Sequence, residues 1–149
     1  MSDTPGADLP TILLVEDDDD HAKLVRRGLG RSPVPFRLEH VKDGEAALDY
    51  LHQRGRFAEP ATSPRPALIL LDLRLPRIGG LEVLAEIKEL ESLRDIPTVV
   101  LTSSESERDK ARAYGHHANS YVPKPVDFGQ FGRLMEELGL YWLSVNRSR

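Results

Sequence analysis

Five consecutive acids, Glu16, Asp17, Asp18, Asp19 and Asp20, follow the apolar run of the stretch "LLVEDDDDHA" (13–22). Carboxylates this close repel one another: two of them about 5 Å apart cost roughly 3 kcal/mol at an effective dielectric of about 20. A hard divalent cation with oxygen ligands relieves that repulsion, and Mg2+ takes one or two carboxylates, waters and a phosphate oxygen. Three more reactive side chains close or follow short apolar runs: Asp72 in "ALILLD" (67–72), Thr102 in "PTVVLT" (97–102) and Lys124 after "NSYV" (119–122). A carboxylate, a metal, a hydroxyl donor and an ammonium around one point make a phosphoryl-transfer site. Asp72 is its nucleophile and forms an acyl phosphate. Thr102 donates a hydrogen bond to a transferring oxygen, while the metal and Lys124 offset its charge.

These groups are far apart in the chain, so the elements that carry them must converge. "TILLV" (11–15) reads as a first strand. A helix follows from about Asp20, a fitting N-cap, to Gly30, with Ala22, Val25 and Leu29 on its buried stripe. "FRLEHV" (36–41) alternates like a strand whose two faces differ. Asp43 caps a second helix that buries Ala47, Tyr50 and Leu51 and stops near Gly55. "ALILLD" is apolar on both faces, as a central parallel strand must be. "GGLEVLAEIKEL" (79–90) is a helix with Val83, Leu84, Ile87 and Leu90 inward, and "PTVVLT" is another two-faced strand. Ser104 and Glu107 form a capping box for a helix that ends at Gly115. "NSYV" is a last short strand, and a final helix starts at Asp127. Strands alternating with helices in this way predict an open parallel α/β sheet covered on both sides. Ligands of such sheets sit beyond the carboxyl ends of the strands, which is where Glu16, Asp17, Asp72, Thr102 and Lys124 arrive. The long connection "QRGRFAEPATSPRP" (53–66) is an exposed loop in which Pro60, Pro64 and Pro66 exclude a helix.

Composition narrows the function classes. At 149 residues the chain suits one domain, 40% hydrophobic and 30% charged. A net charge of −4 argues against sequence-independent nucleic-acid binding. With no cysteine, thiolate catalysis, disulfides and Cys-based zinc sites are excluded, which fits a cytoplasmic protein. No stretch approaches the roughly 18 apolar residues of a membrane span, and "MSDTPGADLP" is not a signal peptide but a short disordered lead over residues 1–9.

At the residues singled out above, the sequence resembles the receiver domain of two-component response regulators. The likeness runs over residues 10–140, through "LLVEDD", "LILLDLRLPRIGG", "VVLTS" and "YVPKP" in the family's order. Asp72 to Thr102 is 30 residues and Thr102 to Lys124 is 22, spacings usual for receivers. The resemblance implies a flavodoxin-like, doubly wound five-stranded sheet of order 2-1-3-4-5. It implies that Asp72 is the phosphorylated aspartate. Asp17 ligates Mg2+ directly, Glu16 acts on it, often through water, and the Arg74 backbone carbonyl adds a ligand, with Mn2+ as a substitute. Lys124 contacts the phosphoryl group, the Lys124–Pro125 peptide is cis, and Tyr121, three residues before the lysine, is the switch aromatic. Gly79 departs from the acid or amide often found before the loop glycine, Gly80. The longer 53–66 loop, the "VEDD…HA" start and the aromatic end "LYWLSV" resemble stand-alone receivers that partner bacterial phytochrome kinases.

Plainer readings account for other features. Negative charge suits a helix's first turn, so Asp18, Asp19 and Asp20 need not be ligands. The five histidines contain no i, i+4 pair, and the adjacent His116 and His117 read as solvated loop residues. On spacing alone, Tyr121 is a core strand aromatic. An aspartate-nucleophile, Mg2+-dependent phosphatase is the competing enzyme reading, but it needs a second Asp where this chain has Arg74. A nucleotide or flavin binder needs a phosphate-cradling loop after the first strand, where this chain has five acids. The expectation is therefore a response regulator, not a turnover enzyme, that accepts phosphate from a sensor histidine kinase and signals by protein contact. Its partners are the kinase, a phosphotransfer protein and a second copy of the chain. Phe128, Phe131, Met135, Leu138, Trp142 and Val145 form a heptad-like seam that predicts a homodimer through the last helix and the 141–149 tail, against the plainer reading in which Gly139 ends the helix and "LYW" folds back on its own domain.

Overall fold

The computed structural model describes residues 9–31, 35–76, 78–102, 120–123, 133 and 135–137. In chain order the elements are β1 (Thr11–Val15), α1 (Asp19–Leu29), β2 (Arg37–Val41), α2 (Gly44–Leu51), β3 (Leu68–Asp72), α3 (Gly80–Glu89), β4 (Thr98–Thr102) and β5 (Ser120–Pro123). The strands form one parallel sheet of order β2-β1-β3-β4-β5. This is the doubly wound α/β order that the resemblance implies. After β2 the chain returns across β1 to β3, so strand order reverses between the two strands that end in acids. A crevice opens at such a switch point.

Two apolar layers explain why the central strands are apolar at every position. Leu13, Val15, Ile69, Leu71 and Val100 face α2 and α3, where Ala47, Tyr50, Val83, Leu84 and Ile87 meet them. Ile12, Leu14, Leu68, Leu70, Val99 and Leu101 face the other way, toward Ala22, Val25 and Leu29 of α1 and toward Met135. Alternation along a strand sends successive side chains into opposite layers. Leu51 and Leu90 pack against the first layer only in part.

Several local details differ from expectation. The cap of α1 is Asp18, not Asp20: its side chain accepts from the N–H groups of Asp20 and His21 at 2.9 and 3.3 Å. Asp18 has the extended backbone that a cap requires, while Asp19 and Asp20 fall in the first turn, where acids suit the helix dipole. β2 lies at the sheet's edge, so Arg37, Leu38, Glu39 and His40 are all half-buried and its faces contrast less than the alternation suggests. α2 is capped by the Asp43 carboxylate as expected, but it ends at Leu51, and Gln53 and Gly55 then take left-handed conformations at φ 53 and 60°.

The 53–66 connection contains a 3-10 turn at Gly55–Phe57, ahead of its first proline. Its proline-bearing part is not a free loop. Ser63 and Pro66 are buried, the Tyr50 hydroxyl donates to the Pro64 carbonyl at 2.9 Å, and the Gln53 amide donates to the Ser63 carbonyl at 3.1 Å. The segment is a strap tied to the amino-terminal end of the sheet. Residues 133 and 135–137 are helical, and Met135 is fully buried. The N-terminal lead through residue 8, the helix with Ser104 and Glu107, the start of the final helix at Asp127 and the 141–149 tail lie outside the described residues.

Candidate functional site

β1 and β3 are neighbours, and each delivers an acid at its carboxyl end. Glu16, one residue past β1, is 0% exposed, Asp72 at the end of β3 is 3% exposed, and Asp17 faces solvent. Glu16, Asp17 and Asp72 each offer a carboxylate oxygen, and these atoms all lie within 4.8 Å of one another. At that separation each pair repels by about 3 kcal/mol in a medium of effective dielectric about 20. An all-oxygen, all-anionic donor set matches a hard divalent cation, so the residues present fit the metal that the sequence implies.

The acids are held in place by backbone donors. An Asp72 oxygen accepts the Arg74 N–H at 3.0 Å, so the peptide after the strand orients the carboxylate, while Arg74 as a residue is exposed. The Glu16 N–H donates to the Val41 carbonyl at 3.0 Å, and Glu16 Oε2 accepts the Asp18 N–H at 3.3 Å. Beyond β3 the loop folds tightly over its own start. A Cβ on Gly80 would come within 2.5 Å of the Asp72 carbonyl oxygen, and one on Gly44 within 2.3 Å of the Ile78 carbonyl oxygen. Only glycine permits these approaches. Gly79, by contrast, has open space around its Cβ position, so the family's usual side chain there has no packing role to lose.

β4 pairs with β3 and with β5, placing Asp72 opposite Leu101 and Thr102 opposite Pro123. Thr102 therefore ends its strand at the same edge as Asp72. In the same ladder Tyr121 pairs with Val100, two positions before Thr102. Lys124 and the Lys124–Pro125 peptide lie outside the described residues. His116 and His117 do as well.

Three contacts around the acids escaped the sequence reading. His40 Nε2 lies 2.7 Å from the Glu16 carbonyl oxygen, His21 Nδ1 lies 3.6 Å from Asp18 and 4.0 Å from Glu16, and Lys42 pairs with Asp19 at 3.0 Å. Histidines judged by i, i+4 spacing give no sign of partners brought in by a neighbouring strand.

Comparison with known proteins agrees with this geometry. The chain is 50% identical over 137 residues to the probable methanogenesis regulatory protein FilR2 of Methanothrix harundinacea, covering 92% of this chain and 86% of that one. It is 42% identical over 134 residues to the response regulator Rcp1 of Synechocystis sp., covering 90% and 89%. The Mn(2+)-bound form of Rcp1 matches with a TM-score of 0.82 at 41% identity, over 90% of this chain and 94% of that one. The phosphorylated cyanobacterial phytochrome response regulator RcpA matches with a TM-score of 0.83 at 40% identity, over 92% and 96%. Residues 12–136 match the response regulator receiver domain, and the chain belongs to that family.

Proposed function

We propose that Asp72 accepts a phosphoryl group from a sensor histidine kinase in a Mg2+-dependent step. A carboxylate oxygen of Asp72 forms the new bond to phosphorus as the bond to the kinase's histidine nitrogen breaks, and that nitrogen keeps the electron pair. Glu16, Asp17, Asp72 and the Arg74 backbone carbonyl would hold the cation, with Mn2+ as a substitute. When bound, it supplies positive charge against the transferring oxygens. Lys124 would add a second positive charge, and Thr102 a hydroxyl donor. Three carboxylates within 4.8 Å at the end of two adjacent strands, two of them buried and Asp72 aimed by a backbone N–H, carry this assignment. The protein's own chemistry is then self-phosphorylation from a phosphodonor and autodephosphorylation. Arg74 stands where a phosphatase of the aspartate-nucleophile class needs its acid.

The signal leaves through protein contacts. Thr102, drawn to the phosphoryl oxygen, would free space for Tyr121 to rotate, a two-state packing biased by one hydrogen bond. NMR of wild type and Thr102→Ala with a beryllofluoride mimic tests this, and identical shifts around Tyr121 in both would exclude the coupling. A homodimer through the last helix and tail is part of the proposal. Light scattering on wild type and Trp142→Ala reads it, and a monomeric wild type at tens of micromolar ends it.

Likeness to Rcp1 and RcpA supports a phytochrome-type kinase as the donor, acting with this protein in the cytoplasm. The 50% identity to FilR2 favours a second reading, in which the kinase answers a metabolic input. Phosphotransfer profiling against purified kinases of both types separates them. The central test is intact-mass spectrometry with acetyl phosphate and Mg2+. Wild type should gain one phosphoryl group and Asp72→Ala none, and full labelling of the variant would overturn the assignment.

A further inference from the structure

We infer that His40, on the edge strand, is a positioning residue for the divalent-cation site, an assignment that rests on the cation reading above. The ladder between β1 and β2 ends with the pair Val15 and Val41. Glu16 lies one residue beyond it, where the chain leaves the sheet and turns into the acid loop. Two contacts from β2 reach across this exit: the Val41 carbonyl accepts the Glu16 N–H at 3.0 Å, and His40 Nε2 stands 2.7 Å from the Glu16 carbonyl oxygen. A carbonyl oxygen only accepts, so Nε2 carries the hydrogen and donates. That donor exists in a neutral tautomer and in the charged ring alike, and the contact needs no change of protonation.

Both peptide planes that flank Glu16 are thus tied to β2, one through a main-chain bond and one through the imidazole. The second plane joins Glu16 to Asp17. Its orientation sets the directions in which both carboxylates leave the backbone, and those carboxylates supply two of the three donors in the cluster. Sheet stability does not require the histidine, because β1 and β2 already pair over five residues. Its neighbour on the same face, Leu38, simply packs against the α1-side layer. An imidazole in this half-buried place pays a desolvation cost that leucine would not, and the hydrogen bond to Glu16 is what it gains. Nearby, the Lys42–Asp19 pair is exposed on both sides and fixes the loop far less firmly.

Groups that orient a metal's ligands typically change affinity by about 10- to 100-fold when removed. Isothermal titration of the full chain with Mn2+ reads this, using wild type, His40→Leu, His40→Asn, His40→Gln and Asp17→Asn. A glutamine amide reaches about where Nε2 sits, whereas an asparagine amide mimics Nδ1 and falls short. His40→Leu and His40→Asn should therefore bind Mn2+ about tenfold or more weakly, and His40→Gln should bind as wild type does. Urea unfolding in chelator should show the Asn and Gln variants both fully folded in the absence of denaturant, so their difference in affinity is not a loss of folded protein. If His40→Leu does not fold, the Asn and Gln pair carries the same comparison. Wild-type affinity in His40→Asn, with affinity lost in Asp17→Asn, overturns the positioning role and leaves the cation reading intact. Absence of Mn2+ binding by wild type overturns both.

Discussion

The two ends of the sheet solve opposite problems. At the carboxyl end, Glu16, Asp17 and Asp72 bring like charges within 4.8 Å, two of them buried. At the amino end, the strap over 53–66 matches donors to acceptors one by one. Tyr50 donates to Pro64, Gln53 to Ser63, Arg37 to Thr62 and Arg65 to Ser92. The amino end gains stability from matched pairs, whereas the carboxyl end carries a repulsion that a bound cation would relieve, as the proposed site requires. Removing a charge from the carboxyl-end cluster should therefore show opposite signs with and without the cation, whereas substitutions at the amino end should be indifferent to it.

The largest effect should come from crowding the acid loop. In Gly80→Ala the new methyl would meet the Leu73 Cα at 2.4 Å and the Asp72 carbonyl oxygen at 2.5 Å, backbone atoms that cannot swing aside. We expect a loss of about 3 kcal/mol, with weaker Mn2+ binding because Asp72 shifts with its carbonyl. Gly79→Ala, where the Cβ finds nothing within 4 Å, is the matched control and should cost well under 1 kcal/mol. Urea unfolding of both variants decides it, and equal losses would mean that the loop does not close over Asp72 as described.

Asp72→Asn comes next and should have the opposite sign. It removes one charge from the cluster but keeps an oxygen to accept the Arg74 N–H. In chelator the variant should be more stable than wild type by about 2 kcal/mol, the full repulsion being reduced because Asp17 is exposed. Added Mg2+ should reverse the order, since only the intact cluster gains stability from a bound ion. A variant less stable than wild type in chelator would show that the acids are not in conflict.

How far the sequence speaks for each end follows from the range of the forces involved. The carboxyl end was legible because strand patterns are local: "TILLV" and "LILLD" are apolar throughout, and an acid that ends such a run must emerge at the sheet's edge. The strand order and the pairing of Asp72 with the β1 acids then rest on the crossover rule and the receiver resemblance. The cap of α1 was not legible. Three successive aspartates can all cap, and the choice of Asp18 depends on one residue's extended backbone. The strap and His40 were hidden for another reason. Tyr50 meets Pro64 across 14 residues and His40 meets Glu16 across 24, so no window of sequence contains both partners. Prolines showed correctly that residues 60–66 are not helical, but not that they are tied down.

At the amino end, Tyr50→Phe tests the strap with little change of shape, since Phe keeps the edge-on contact with Phe57, whose ring lies 5.2 Å away. It leaves the Pro64 carbonyl without its donor, which should cost about 1 kcal/mol. Burial pushes the Tyr50 phenol up to about 12, aided by the charge of Glu39 and opposed by Arg37. A folded-state value raised above the ordinary value of 10.0 means that this stabilisation is whole below pH 10 and fades as pH rises toward about 12. Urea midpoints should accordingly fall more steeply for wild type than for Tyr50→Phe above pH 10. Parallel curves would show that the hydroxyl is not held by the strap, and Mg2+ should alter neither protein's pH dependence there.

The smallest effect concerns the one flaw in the amino end's pairing. Thr11 is 2% exposed, and its Oγ1 is the only buried side-chain polar atom among the described residues that has no hydrogen-bond partner. It begins β1, the strand whose other end supplies Glu16. A buried hydroxyl without a partner loses its hydration and gains nothing in return. Valine has nearly the same shape, keeps the β-branch that suits a strand, and removes the stranded oxygen. Thr11→Val should therefore stabilise the protein by up to about 1 kcal/mol, in chelator and in Mg2+ alike. A loss of stability would mean that a bound water completes the hydroxyl's bonding, making the amino end fully paired. A gain that appeared only in Mg2+ would couple the two ends of β1, and the division drawn between them would fail.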